Sequence, residues 1–308
     1  MIVNHSDKTK GNTGWNKAIP QGRDKMQSEL LVGAVGMVLA IKAVLEIVHL
    51  RTSGTGYLTM PRWFWVACGV SAAFALVVWL LKSATGPAAA MGGLVCLHVL
   101  LRQQFGGRWI DTAMPSLLAL FLLTFAATRF GRKRKEAMGV AEGKRGRKAA
   151  QVIANLGAAG ILAAGGTSGS FVSSVMLAAC VATLAEATAD TVSSEMGQTL
   201  SGTRWGQTLL ITTGRVVPAG TDGGVSVGGT AFGAMAAMVV VAVSPLVDSP
   251  VGAMAAFLAA CVGLIFDSVL GATVERRGWL GNDLVNFSST VVAAGVAWGV
   301  VWGVTAAF

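Results

Sequence analysis

The amino-acid sequence predicts an all-α fold: a polytopic transmembrane helical bundle of about nine helices, with its N-terminus in the cytoplasm. Of the 308 residues, 53% are hydrophobic and 13% are charged, whereas a typical soluble domain is about 25% charged. The chain also contains 40 glycines, and small residues let membrane helices approach one another closely. Its apolar residues fall into separate stretches of roughly 20, the length that an α-helix needs to cross a bilayer.

Nine apolar stretches follow a polar tail, 1–28, that is predicted to be cytoplasmic. The tail runs into the first stretch without the A-x-A-like site at which a signal peptide is cleaved. A basic loop, 131–148, separates four N-terminal helices in 29–130 from a five-helix region, 149–308, which holds every informative motif and is predicted to be catalytic. The predicted spans are 30–50, 62–82, 86–101, 112–130, 149–166, 170–188, 229–247, 250–272 and 284–306.

The distribution of basic residues predicts the orientation. With a cytoplasmic N-terminus, 19 of the 24 Lys and Arg residues fall on the cytoplasmic side and four on the other, as the positive-inside rule requires. We therefore expect a multi-pass protein of a bacterial-type inner (plasma) membrane. The net charge of +9 reflects this orientation, so nucleic acid is not an expected partner. The loop 131–148 is predicted to bind anionic lipid headgroups. Its last two residues, Arg147 and Lys148, lie at the mouth of the next helix and could instead meet a substrate phosphate.

The same orientation gathers carboxylates at the cytoplasmic face, although they were not used to assign it. Carboxylates at membrane depth are costly and usually functional, and oxygen-only ligands suit Mg²⁺ better than zinc. Each of the four cysteines lies alone in an apolar stretch, which indicates a core residue. The seven carboxylates are Glu186, Asp190, Glu195, Asp222, Asp267, Glu275 and Asp283.

The first motif is LAEATADTVSSEMGQ, 184–198. Glu186 and Asp190 are four residues apart and share a helix face. Asp190 and Glu195 are five apart, a spacing that we expect to let one helix end fold over a shared ion. The alternative is a cluster of helix-terminal acids solvated by the cytoplasm.

The second motif is the glycine-rich segment TTGRVVPAGTDGGVSVGGTAFG, 212–233. Such a loop can turn backbone N–H groups inward as an anion nest, and Arg215 adds a positive charge. It lacks the G-K-[ST] of a Walker A loop. Tight turns and close packing are the alternative explanation for its glycines.

The third motif is GLIFDSVLGATVERRGWLGNDLVNFSST, 263–290. Asp267 lies inside an otherwise apolar helix and is predicted to face the bundle as a metal-site or phosphate-site group. Asp283 and Asn286 open the last helix, three residues apart, although Asp283 could simply cap that helix. Asn155, on the predicted fifth helix, belongs with these groups or else forms an interhelical hydrogen bond.

Five ordered strings in these motifs resemble the integral-membrane family that contains the chloroplast phytyl-phosphate kinase. The resemblance covers about 144–290, and the strings are QVIANLG, ATADTVSSEMG, LLITTGRVVPAGTDGGVSVGGT, FDSVLGAT and WLGNDLVNFSST. It implies a kinase that transfers a phosphoryl group from a nucleoside triphosphate, with CTP favoured, to a prenyl or phytyl monophosphate. It also implies that Mg²⁺ is held by Asp190, Glu195 and Asp267, and that Arg215 is catalytic with them. The nucleotide or phosphate groups would be bound by Thr213, Gly214, Arg215, Thr221, Gly223, Gly224, Ser226, Asn155, Asp283 and Asn286.

This chemistry suits the predicted layout. A prenyl phosphate keeps its chain among lipid tails, and its phosphate is already anionic, so transfer needs positioning and charge neutralisation more than a general base. A polyprenol (alcohol) kinase or a CDP-forming cytidylyltransferase would use the same layout. An ion-coupled transporter is a further alternative, but it predicts polar residues that continue toward the outer face. The sequence makes no prediction of oligomeric state.

Overall fold

The computed structural model describes residues 19–53, 60–101, 108–141, 146–165 and 170–307. Most of the predicted polar tail and part of the basic loop, 142–145, lie outside the described residues. Ten α-helices account for most of the fold: α1 Gln21–Ser53, α2 Arg62–Leu80, α3 Gly86–Leu101, α4 Met114–Arg129, α5 Arg132–Ala137, α6 Ala149–Ala164, α7 Ser170–Thr199, α8 Val227–Ala242, α9 Pro250–Leu270 and α10 Asn282–Ala306.

Short elements connect some of these helices. Two 3₁₀ turns, Trp109–Asp111 and Pro245–Asp248, precede α4 and α9, and a π-helical turn, Gly271–Glu275, extends α9. Two antiparallel strands, β1 Leu209–Leu210 and β2 Gly224–Val225, form a small hairpin between α7 and α8.

Every predicted span coincides with a helix, which confirms the all-α membrane fold. Five helices are long and apolar enough to cross a membrane by length and composition: α1, α2, α7, α9 and α10. The shorter apolar helices α3, α4, α6 and α8 occupy the other four predicted positions.

Helix α7 differs from its prediction, because it continues 11 residues past 188 to Thr199. The chain contains no proline there, and the first glycine with a left-handed backbone after it is Gly202, at φ +80°. The acidic motif, 184–198, therefore lies wholly within this helix, and its second half extends past the predicted end of the span. In the basic loop, Arg132–Ala137 forms the short helix α5, which the sequence did not predict as a helix.

Helix α7 forms the centre of the bundle. It packs against α4, α6, α8, α9 and α10, and 83% of its apolar window is buried, compared with 22% for α1 and α2 and 33% for α9 and α10. Most of its buried residues are small, chiefly alanine and threonine, so neighbouring backbones can approach it closely. At Gly197 and Gly229, for example, α7 and α8 meet so closely that a methyl group on Gly229 would lie 3.1 Å from the Cα of Gly197.

One end of the bundle, here the basic end, carries Lys82, Arg129, Lys135 and Arg147. Helices α2, α4, α7 and α9 finish there, and α3, α6, α8 and α10 begin there. Backbone hydrogen bonds join the turn after α2 to the start of α6, since the Arg147 N–H donates to the Ser83 carbonyl at 2.9 Å. This is the end that the charge distribution predicts to be cytoplasmic.

Candidate active site

Three carboxylates from two helices form an acidic cluster near the basic end: Glu186 and Asp190 on α7, and Asp267 on α9. Their charges interact with one another. The Glu186 residue is 1% exposed, and within the described chain its Oε1 atom has no hydrogen-bond partner. Gly263 on α9 makes room for it, because a Cβ atom there would lie 2.5 Å from Glu186 Cγ. A buried carboxylate oxygen without a donor is costly, so this cluster is suited to receive a cation.

Polar groups from α6 and α10 adjoin the acidic cluster. Ser289 Oγ on α10 lies 3.3 Å from Asp267 Oδ2 and 2.8 Å from the Asn286 carbonyl oxygen. One turn away, Asn286 Nδ2 donates to Asn155 Oδ1 on α6 at 3.2 Å. The structure thus brings the predicted residues Asn155, Asn286 and Asp267 into one region. It also shows that the two asparagines form the interhelical hydrogen bond that was the alternative explanation for Asn155.

Arg147 supplies a positive charge beside these acids. Its Nη2 atom donates to Thr191 Oγ1 on α7 at 3.3 Å, and its charge interacts with Asp190. The backbone of Arg147 is fixed on both sides, because its N–H donates to Ser83 and its carbonyl accepts from the Thr85 N–H at 3.0 Å. The guanidinium is therefore held at the boundary between the N-terminal helices and the acidic cluster.

Glu195 does not join the acidic cluster, so the predicted metal set of Asp190, Glu195 and Asp267 needs correction. Glu195 forms a buried ion pair with Lys135 of α5. At about 100° per residue, a spacing of five rotates two side chains roughly 140° apart on a helix, whereas a spacing of four leaves them about 40° apart. The helix that continues through the motif thus points Glu195 and Asp190 in different directions.

A Mg²⁺ ion needs fewer protein ligands than a structural metal site. Among the described residues, no group of three or more His, Cys, Asp or Glu side chains has an arrangement that could hold a metal ion. Mg²⁺ at phosphoryl-transfer sites is typically held by one or two carboxylates together with substrate phosphates and water. Asp190 and Asp267, with the unpartnered oxygen of Glu186 beside them, fit this kind of Mg²⁺ site, in which phosphates and water supply the remaining ligands.

The glycine-rich segment is a hairpin whose tip and base have different surroundings. Thr213, Gly214 and Arg215 form an exposed turn at the tip, in which the Gly214 N–H donates to the Leu210 carbonyl at 2.8 Å. In the described part of the chain, no carboxylate lies within ion-pair distance of Arg215. The structure therefore does not bring the predicted catalytic arginine to the acidic cluster.

The base of the hairpin packs against the end of α9. Gly223 has φ +73°, and a Cβ atom on it would lie 2.3 Å from the Ala272 nitrogen. Asp222, next to it, interacts electrostatically with Asp267, as does Glu275 of the π-helical turn. The glycines at the base thus serve the close packing that was the alternative explanation for them, and they hold an acidic residue near Asp267.

Three other predicted residues make local contacts. Thr221 Oγ1 donates to the Pro218 carbonyl at 2.7 Å, and Gly224 N–H donates to the Thr221 carbonyl at 2.8 Å. Ser226 is the N-cap of α8, and its Oγ accepts from the Gly229 N–H at 3.2 Å. These contacts shape the hairpin and start α8.

Asp283, in the first turn of α10, is directed toward α1. Its Oδ2 atom accepts a hydrogen bond from Ser28 Oγ at 2.6 Å. On the same helix pair, the Gly281 N–H donates to Gln27 Oε1 at 2.8 Å. Asp283 therefore anchors the start of α10 to α1, and no ligand role follows from its contacts.

Sequence reasoning missed two contributors to this region. Ser289 lies in the motif WLGNDLVNFSST but carries no charge that would distinguish it from other serines. Lys135 is one of many basic residues in the loop 131–148, and its partner Glu195 is 60 residues away, so no local spacing marks it. Glu186 had a usable signal, because it lies four residues before Asp190 on the same helix face.

Comparison with known proteins identifies relatives of the chain. Residues 69–294 match the family model described as "Integral membrane protein DUF92". Over 188 residues, the chain is 31% identical to "Protein VTE6, chloroplastic" of Arabidopsis thaliana, covering 58% of this chain and 55% of that protein. Over 186 residues, it is 35% identical to "Uncharacterized membrane protein sll0875" of Synechocystis sp., covering 59% of this chain and 70% of that protein.

The matched region is thus a little over half of the Arabidopsis protein. No solved structure matches the chain. The family model spans well over half of the sequence, including the acidic cluster, the hairpin and the first half of α10. It also agrees with the family that the five strings resemble. The chain therefore belongs to the DUF92 family of integral membrane proteins.

Proposed function

We propose that this protein is a membrane kinase that transfers a phosphoryl group from a nucleoside triphosphate, preferably CTP, to a prenyl or phytyl monophosphate at the cytoplasmic membrane surface. The observation that carries the proposal is the acidic cluster of Glu186, Asp190 and Asp267 beside the fixed guanidinium of Arg147. Buried carboxylates next to one cation, at the depth where a lipid phosphate meets the cytosol, suit phosphoryl transfer between a lipid and a soluble nucleotide.

The reaction is a single displacement at the γ-phosphorus of the nucleotide. An anionic oxygen of the prenyl monophosphate forms a bond to the γ-phosphorus, and the bond from that phosphorus to the β,γ-bridging oxygen breaks. The electron pair of the broken bond leaves on the β-phosphate, so the products are the prenyl diphosphate and the nucleoside diphosphate. Since the attacking oxygen is already deprotonated at neutral pH, no general base is needed.

The side chains contribute charge and position. Arg147 neutralises charge on the transferring group, while Asn155, Asn286 and Ser289 keep α6, α9 and α10 in register around the cluster. Asp190 and Asp267 would hold Mg²⁺, which supplies charge neutralisation on the phosphates when bound. Arg215 and the hairpin tip remain candidates to contact the nucleotide phosphates, because they are exposed and conformationally suited to an anion.

Not every basic residue in the described part of the loop 131–148 is exposed to lipid headgroups. Lys135 is 1% exposed and Arg132 pairs with Glu136 at 3.0 Å. We propose that exposed basic residues such as Lys133 and Lys148 bind anionic headgroups and hold this end of the bundle at the membrane surface.

The proposal is tested with purified full-length protein, Mg²⁺, each nucleoside triphosphate, and phytyl, geranylgeranyl or farnesyl monophosphate. We expect a prenyl diphosphate and a nucleoside diphosphate, and we expect Asp190→Asn to abolish transfer in a protein that remains folded. A CDP-lipid, formed together with pyrophosphate, would instead identify a cytidylyltransferase. Phosphorylation of the free alcohol but not of the monophosphate would identify a polyprenol kinase.

A further inference from the structure

A cavity of about 110 Å³ lies between α2, α3, α4 and α6. A buried water molecule requires roughly 10–15 Å³ of such space, so the cavity has room for a much larger group. Its depth is lined by apolar side chains, including Phe74, Leu117, Phe121 and Leu156, and by Gly92 of α3. The acidic cluster contributes no residue to it.

The mouth of the cavity is strongly basic. Lys82, Arg129, Arg132 and Arg147 line it and are here called the cationic rim, whereas none of the described residues that line the cavity is acidic. Arg132 and Arg147 have acidic neighbours elsewhere, namely Glu136 and Asp190. Across the described chain, no carboxylate lies within ion-pair distance of Lys82 or Arg129.

Two further features of the rim favour an anion. Ser83 lines the cavity, and in the part of the chain described its buried Oγ atom has no hydrogen-bond partner. Helices α3 and α6 both begin beside the rim, since Ala84, Gly146 and Arg147 line the cavity. Helix N-termini carry partial positive charge and exposed N–H groups that attract phosphate.

Lys82 is held in a conformation that a lysine ordinarily avoids. Its φ is +55°, and it is the one non-glycine residue with a positive φ among the described residues. It follows α2 at the position where helices commonly end with glycine. In a left-handed conformation the Cβ atom of a non-glycine residue crowds the following carbonyl oxygen, so the backbone is strained. Placing a lysine there is therefore unfavourable for folding, but it keeps an ammonium group at the rim.

Arg147 joins the cavity to the acidic cluster. Its residue lines the cavity, while its guanidinium donates to Thr191 at 3.3 Å and interacts with Asp190. A phosphate at the cationic rim would therefore lie on one side of Arg147 and the acidic cluster on the other.

We propose that this cavity binds the lipid acceptor of the reaction, with the apolar chain entering between α2, α3, α4 and α6 and the phosphomonoester held at the cationic rim. The inference rests on the proposed function, because that function defines the acceptor. What it adds is the place in the bundle where a phosphomonoester with one apolar chain binds. It assigns a substrate-binding role to the N-terminal helices, which hold none of the predicted catalytic motifs.

The first test measures binding without turnover. Purified full-length protein in phosphatidylcholine nanodiscs is titrated with geranylgeranyl monophosphate by calorimetry, in the absence of nucleotide. Lys82→Gly should weaken binding about tenfold, since it removes a rim charge, yet its melting temperature should equal or exceed that of the original protein because the backbone strain is relieved. Arg204→Gln removes one charge from the exposed turn after α7, outside the cavity, and should change affinity less than twofold.

The second test fills the apolar depth. Gly92→Leu places a side chain in the cavity and should weaken geranylgeranyl monophosphate binding at least tenfold. Gly295→Leu is the matched control, because nothing lies within 4 Å of a Cβ atom at Gly295, and it should bind normally. Inorganic phosphate, geranylgeraniol and phosphatidic acid serve as competitors, and none should displace the monophosphate at an equal concentration.

The outcomes separate this proposal from the proposed function. If the Lys82 and Gly92 variants bind geranylgeranyl monophosphate as the original protein does, the cavity is not the acceptor site, even if phosphoryl transfer is observed. Equal displacement by phosphatidic acid or inorganic phosphate also overturns it, because the rim would then bind any phosphate. If the variants lose binding but the original protein transfers no phosphoryl group, the cavity assignment stands and the proposed function fails.

Discussion

The buried ion pair between Lys135 and Glu195 allows a direct test of which acids serve the fold and which serve the reaction. Lys135 Nζ also donates to the Ala127 and Thr128 carbonyls at 3.0 and 2.9 Å, so it closes the end of α4 onto α7. Glu195→Leu leaves that ammonium buried without a counter-charge, which should lower the free energy of unfolding by about 3–5 kcal/mol.

A second substitution should restore part of this loss. The double variant Lys135→Met/Glu195→Leu removes both charges of this buried pair. Its remaining loss of stability comes from the two helix-end carbonyls that lose their hydrogen-bond donor, about 0.5–1.5 kcal/mol each. We therefore expect the double variant to be about 1–3 kcal/mol less stable than the original protein, and more stable than Glu195→Leu alone. Glu136→Leu, which breaks the half-exposed pair with Arg132 on the same helix, should cost no more than about 1 kcal/mol.

The measurement is reversible unfolding with SDS in mixed micelles, followed by tryptophan fluorescence, together with phosphoryl transfer by the folded double variant. Because Glu195 points away from Asp190, we expect the double variant to retain activity within a few-fold. A stability loss for Glu195→Leu no greater than that of the Glu136 control would refute the ion-pair argument. A stable double variant that has lost activity at least 100-fold would return Glu195 to the metal site that the sequence predicts.

Three further predictions concern α9 and the hairpin. Asp267→Asn should reduce phosphoryl transfer by about 100-fold or more without loss of helical circular dichroism, and retained activity would remove α9 from the site. Gly263→Ala should destabilise the protein by about 1–3 kcal/mol in SDS unfolding, because a methyl there lies 2.5 Å from the buried glutamate of the acidic cluster. The control Gly299→Ala has open space around its methyl group, and its stability should be within about 0.5 kcal/mol of that of the original protein. Gly223→Ala and Gly214→Ala both introduce a side chain at positive φ, but only the methyl group at 223 contacts the π-helical turn. Gly223→Ala should therefore lower the melting temperature more than Gly214→Ala does. Equal decreases would contradict the packing assigned to the hairpin base.

The fold could be predicted almost completely from the sequence because spans depend on runs of apolar residues. The limits of the prediction appear where helices leave the apolar region. Helix α7 extends past 188 because its polar last turns are covered by α5 and α8, so the protein rather than solvent or lipid surrounds them. A hydropathy pattern has no means of detecting such tertiary shielding.

The candidate site was predicted only in part, for a related reason. Helical spacing identified Glu186 and Asp190 as neighbours, and the intramembrane position of Asp267 marked it as unusual. The pairing of Glu195 with Lys135 could not be anticipated, since it depends on the short helix α5 folding back over α7. The glycine-rich segment was ambiguous because glycines that bind phosphate and glycines that permit close packing have the same sequence appearance. At Gly223 the structure favours packing, while the exposed tip around Gly214 is still available to a ligand.

Arg147 connects the cavity proposed to hold the acceptor with the acidic cluster proposed to carry out transfer. The proposed reaction brings together an acceptor with an apolar chain that lies in the membrane and a nucleotide that arrives from water. The apolar chain and the charged nucleotide need different surroundings. In this bundle the apolar cavity and the acidic cluster lie on different sets of helices, and Arg147 contacts both, its backbone tied to the turn after α2 and its guanidinium to α7. If the cavity holds the acceptor, Arg147→Lys should impair transfer more than acceptor binding, because a lysine keeps the charge but loses the planar fork that contacts two partners. An equal loss in both would make Arg147 only another member of the cationic rim.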